Sequence, residues 1–268
     1  MYTSAVKPPT GIAADPALTA HGVDQARDMA AFLTTLNPPI EAVYSSPYYR
    51  CLQTITPFVD LVNGGSSAAD FLAGGALMGA RLTLIRPESG LSDWYGSAQF
   101  DQPRPAAPDV LKRMFPAYDE DYQSAVVPTI RGEDLDELHD RVAVALRAII
   151  EQCDREGRKA VVLCTHAAVI IALGRVLTGA MPVNIAEEDF RAFTCGLSVF
   201  RRQARSDTAP KGQAIKEEDD QQYRASPDTA HGASAAVDWR DGRGVGGRWT
   251  CLANSDCSFL PGGEERGW

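Results

Sequence analysis

Four side chains in this sequence are of types that handle phosphate or protons, and each stands at a suggestive place. His21 lies in "LTAHGVDQA", just before a glycine. Arg50 follows "VYSSPYY". Asp93 sits in "ESGLSDWYG" beside Trp94 and Tyr95, and His166 ends "VVLCTH". A guanidinium in the first turn of a helix can grip a phosphate through two parallel hydrogen bonds. A histidine at the carboxyl end of a buried strand stands where open α/β sheets bind ligands, next to a helix N-terminus that favours anions. A carboxyl group packed against aromatic rings can act as a general acid. Glu88 is the substitute for Asp93 in that role. Each residue alone also has an ordinary structural explanation: a strand cap, a solvated arginine, a turn aspartate. Together, at two strand ends and a loop, they point to one anion site.

Those positions require elements to hold them. Val23, Ala26, Ala30 and Leu33 recur at helical spacing, with Thr19 as N-cap, and Pro38 and Pro39 end that helix. Residues 40–46 read as a strand stopped by Pro47. "YRCLQTITPFVDLV" reads as a second helix, kinked at Pro57. Residues 132–157 carry the clearest helical stripe: Leu135, Leu138, Val142, Leu146 and Ile149. The apolar run within 159–166 reads as a strand buried on both faces of a parallel sheet, and the next helix ends before Gly179. Strands alternating with helices predict a three-layer α/β/α domain over residues 1–202, with 195–202 adding a last strand. Residues 63–80, rich in Gly and Ala, read as a flexible insertion, and 203–236 as a disordered linker. Residues 237–268, with Trp239, Trp249 and Trp268 among glycines, are too short for a core of their own. They are expected to be a separate segment, disordered or ordered by a protein partner.

Composition narrows the function classes. A formal charge of −9 argues against a nucleic-acid groove, so no direct nucleic-acid binding is expected. No apolar run reaches the roughly 18 residues that would span a membrane, and no signal-peptide pattern opens the chain. The six cysteines show no disulfide framework, which makes a reduced intracellular setting the expectation. Cys251 and Cys257 could supply half of a zinc site, but only His231 lies near them as a further ligand. No metal and no cofactor are expected.

"LTAHGVDQA", "VYSSPYYRCLQT", "ESGLSDWYG", "GEDLDELHDRV" and "LCTHAAVIIAL" resemble, in order and spacing, the histidine phosphatase (phosphoglycerate mutase-like) superfamily over roughly residues 10–200. The resemblance implies that fold and a phosphohistidine mechanism. It makes Arg50 the phosphate-binding arginine, His166 the second, charge-stabilising histidine and Asp93 the acid, where the family more often has Glu. The family's nucleophile lies in an Arg-His-Gly motif after its first, central strand. This sequence has no Arg-His pair and no histidine before His21, and His21 follows Ala20 rather than Arg. The sequence therefore resembles a member lacking its first strand and its nucleophile, with His21 pointing away from the site. "PPTGIAADPALTAHGVDQA" and "THAAVIIALGRVLTG" further resemble the fungal branch containing the tau-type subunit of the RNA polymerase III factor TFIIIC. That likeness implies a nuclear protein with protein partners at its C-terminal segment, with the cytoplasm as the alternative location. It also implies a phosphate or phosphorylated ligand between Arg50 and His166.

Overall fold

The computed structural model describes residues 7–64, 82–203 and 237–267. The expected insertion (63–80) and linker (203–236) fall almost wholly outside the described residues. Helix α1 (Ala20–Leu33) starts at Thr19, whose hydroxyl accepts from the Gly22 N–H. Strand β1 (Ala42–Ser45) follows, and after Pro47 the chain enters α2 (Tyr49–Val62), which runs through Pro57. Strand β2 (Ile85–Pro87) leads into a 3-10 turn at Ser89–Leu91 and then α3 (Pro108–Met114). The long helix α4 (Leu135–Glu156) opens on a capping box between Asp134 and Glu137 and stops at left-handed Gly157. Strand β3 (Val161–Cys164) and α5 (Ala167–Thr178) complete the alternating part.

The three strands form a parallel sheet in the order β2-β1-β3, with Val43 opposite Ile85 on one side and Val162 on the other. Alternation along β1 divides the core in two. Ala42 and Tyr44 pack with Leu146, Ile149, Val169 and Val176 of α4 and α5. Val43 packs with Ala30, Ile55, Phe58 and Leu111 of α1, α2 and α3. Helices on both faces of a parallel sheet are the three-layer arrangement expected from the sequence.

Two expectations need correction. Strand β3 is not buried on both faces: Val161 is 37% exposed and the residues after it are half-buried. The sheet order ends at β3, so one of its edges has no neighbour among the described strands. The last strand, β4 (Leu197–Arg202), does not extend this sheet. It pairs antiparallel with β5 (Trp249–Asp256), which lies in the C-terminal segment. That segment is therefore not separate from the domain. Trp239 is fully buried and stacks on the His139 ring at 5.8 Å, and Val245 joins the α4–α5 core. Gly179, which ends α5 in the left-handed conformation, receives a hydrogen bond from the Gly242 N–H. A Cβ on Gly179 would come within 2.7 Å of the Trp239 carbonyl. A segment too small for its own core is covered by borrowing the core beside it.

Candidate functional site

Strands β1 and β3 are parallel neighbours, so the segments leaving their carboxyl ends emerge side by side. One brings Arg50 in the first turn of α2. The other brings His166, the N-cap of α5. Arg50 Nη2 lies 3.1 Å from His166 Nδ1. The loop after the 3-10 turn adds Asp93, whose Oδ2 accepts from Arg50 Nη2 at 2.6 Å and stands 3.4 Å from His166 Nδ1. Asp93 reaches the pair from its loop and is held there by its ion pair with Arg50. Arg50 and Asp93 side chains are 22% and 25% exposed, which leaves the pair reachable from solvent.

The site is wired beyond these three. Ser46 Oγ is 2.9 Å from His166 Nε2. Arg50 can only donate, so His166 Nδ1 accepts from it and Nε2 is the ring nitrogen that faces Ser46. Tyr48 sets its ring 4.9 Å from the Arg50 guanidinium and edge-on to His166, and its hydroxyl donates to the Pro103 carbonyl. Burial pushes the Tyr48 phenol up, so it stays neutral. Asp15, fully buried, accepts two contacts from the Tyr49 N–H at the start of α2 and lies 3.7 Å from Arg50 Nη1. Burial raises the Asp15 carboxyl above its ordinary value, while the Tyr49 N–H and Arg50 pull the other way. Cys51, next to Arg50, places its sulfur 3.5 Å from His166 Nε2.

The sequence reading missed Asp15, Ser46, Tyr48 and Cys51. Asp15 lies in a stretch with no periodicity, and only its partner, the α2 N-terminus, betrays its role. Glu88 is not at the site as described. Its carboxylate is fully buried and accepts from the Gly90 and Ala125 N–H groups and the Tyr122 hydroxyl, which makes it a structural anchor. His21 stands apart, at the start of α1, pairing with Glu265 at 2.8 Å on the surface. His139 is enclosed beneath Trp239. Among the described residues, His166 is therefore the one histidine beside Arg50.

Two cavities meet here. Asp93 and Tyr48 line one of about 480 Å³, walled by Trp94, Tyr95, Arg104 and Tyr122. Arg50 and His166 line another of about 640 Å³, a slot between β3 (Val162, Leu163, Cys164) and the chain entering β4 (Cys195, Leu197). The Arg50–Asp93 pair stands between them. Among the described residues, no cluster of three or more metal-ligating side chains occurs.

A guanidinium, an imidazole and a carboxylate thus meet at the carboxyl end of the parallel sheet, where open α/β folds bind ligands. The family model of the histidine phosphatase superfamily (branch 1) matches residues 5–66 and 85–210, and the chain belongs to that superfamily. It is similar to the transcription factor tau 55 kDa subunit of Saccharomyces cerevisiae, 28% identical over 270 residues. That alignment covers 97% of this chain and 53% of the yeast protein, so the chain spans about half the length of that relative. Among solved structures, the ecdysone phosphate phosphatase from Bombix mori in complex with tungstate superposes with a TM-score of 0.48. It is 22% identical, over 65% of this chain and 60% of its own. A phosphoglycerate mutase from Bacillus anthracis gives a TM-score of 0.38 at 13% identity, over 62% of this chain and 70% of its own.

Proposed function

We propose that this chain uses a histidine-phosphatase fold to bind phosphate, or a phosphorylated ligand, without turning it over. In this reading it serves as a protein subunit of a nuclear RNA polymerase III transcription factor complex. The observation that carries the first half is the contact of Arg50, His166 and Asp93, with no second histidine beside them among the described residues. Arg50 and His166 can meet an anion's charge, but among the described residues no imidazole stands opposite to attack. An arriving dianion must displace Asp93 from Arg50. The second half draws on the likeness to the yeast tau subunit. The net charge of −9 suits protein contacts rather than direct DNA contact. Strand β5 presents Leu252, 49% exposed, as a candidate contact for a protein partner of the C-terminal segment.

The test joins both halves. The full chain, given a general phosphomonoester, should form no acid-labile phosphohistidine and show no turnover. Co-expressed with the other tau subunits of its source, it should co-purify with them. Turnover abolished by His166→Ala would overturn the first half, and failure to co-purify the second.

A second reading has one observation behind it. The slot between β3 and β4 has room beside a strand edge that has no neighbour among the described strands. A strand bearing Arg-His-Gly, fused ahead of the chain, would deliver a nucleophile next to Arg50 and His166. Such a fusion should gain phosphomonoesterase activity; a well-folded but inert fusion would count against this reading.

A further inference from the structure

The slot wall holds a chemistry the phosphate site does not use. Cys51, Cys164 and Cys195 all line it. The Cys51 sulfur faces His166 Nε2 at 3.5 Å and Nδ1 at 4.0 Å. The Cys164 thiol reaches the backbone of the same residue, 3.4 Å from the Cys51 carbonyl, so both thiols face the slot at one point. All six cysteines are free thiols. Three other thiols sit differently. Cys153 is enclosed by the α4–α5 core against Tyr44. Cys251 lies on β5, with its thiol directed to the Ala253 carbonyl. Cys257 is buried and turned to the Ser255 carbonyl. Only Cys51 has an imidazole and a guanidinium as neighbours together with a second thiol.

We propose that Cys51 and Cys164 form a peroxide-responsive dithiol on the slot wall, with Cys51 the nucleophile and Cys164 the resolving thiol. The neighbouring Cys164 thiol, the His166 ring and the Arg50 guanidinium hold the Cys51 thiol below its ordinary value. Cys164 is pushed above its own. The oxidant is hydrogen peroxide, small enough to enter the slot. The Cys51 thiolate attacks one peroxide oxygen; an S–O bond forms, the O–O bond breaks, and hydroxide leaves and is protonated by solvent. The Cys164 thiol then loses its proton and its sulfur attacks the Cys51 sulfur. The S–S bond forms, the S–O bond breaks, and water leaves. The two thiols lose two electrons, and the peroxide gains them. The bond ties the first turn of α2 to the end of β3, the two places that carry Arg50 and His166. It does not depend on the phosphate reading, because its readout is the thiols themselves.

The experiment treats the full chain with sub-stoichiometric hydrogen peroxide, then alkylates and maps the thiols by mass spectrometry. Cys51 should lose alkylation roughly tenfold faster than Cys153 and Cys251 in the same molecule. The product should be a Cys51–Cys164 linked peptide pair, reversed by dithiothreitol. Cys164→Ser should instead trap a dimedone-reactive sulfenic acid on Cys51, and Cys51→Ser should protect Cys164. The unmodified protein carries its own controls, so a variant that fails to fold does not remove the test. Oxidation of Cys51 no faster than Cys153 would overturn the proposal, and so would a disulfide of Cys51 with Cys195 instead of Cys164.

Discussion

Strands β1 and β3 are parallel neighbours, each four residues long, and each delivers a site residue from its carboxyl end. Their surroundings differ. Strand β1 has a ladder partner on both sides and is buried throughout. Strand β3 has β1 on one side and the slot on the other, and Val161 is 37% exposed. A strand can thus place its catalytic-type residue with only one paired edge, as long as the helix after it is docked. Helix α5 is docked by Val169, Ala172 and Val176 in the core shared with α4 and Trp239.

The largest effect that would sharpen this contrast comes from the tail. Trp239→Ala should cost about 3–5 kcal/mol in denaturant unfolding, the usual range for a buried aromatic. A cost under about 1 kcal/mol would mean that the tail only rests on the domain. Next come the strands themselves. Ile85→Ala, beside β1, should cost about 2–5 kcal/mol, whereas Leu163→Ala on half-buried β3 should cost less than that range. Equal costs would break the comparison. The half-exposed apolar residues of β3 should also lower overall stability, because the surface they leave open contributes no burial. The protein should bind a hydrophobic dye and melt below the roughly 45–65 °C of ordinary mesophile domains. A cooperative melt inside that range with no dye binding would show that the exposed edge of β3 costs little.

The smallest effect is a pH dependence. Burial lowers the His139 pKa below its ordinary value of 6.5, and its Nε2 has no hydrogen-bond partner. The unfolded chain therefore takes up this proton first as pH falls. The stability tied to neutral His139 is present above about pH 6.5 and lost as pH drops through the lower folded value. Melting curves between pH 5 and pH 7 should show this slope, and His139→Phe should flatten it; an unchanged slope would assign the dependence to other groups.

How far the sequence disclosed these features follows from what periodicity can carry. Helices α1, α2, α4 and α5 were legible because each turns one apolar stripe inward and ends at a cap such as Gly157 or Gly179. Arg50 and His166 were legible because each follows a strand-like run and a break. Exposure of β3 was not legible, since "VVLC" reads the same whether or not a neighbour strand lies beside it. The pairing of β5 with β4 was hidden by the 46 residues between Arg202 and Trp249 and by a tail whose glycines resemble a linker. Asp15 and Glu88 were missed or misassigned for one reason. A carboxylate's role depends on which N–H groups reach it in space, and spacing along the chain does not show that.

The central claim is that Arg50 and His166 still form an anion site held shut by Asp93. Isothermal titration of the full chain with inorganic phosphate tests it most directly, in three forms of the protein. The unmodified chain should bind, Arg50→Met should lose binding, and Asp93→Asn should bind more tightly, because the competing carboxylate has been removed. Binding unaltered by Arg50→Met, or weakened by Asp93→Asn in a protein that melts normally, would contradict the account.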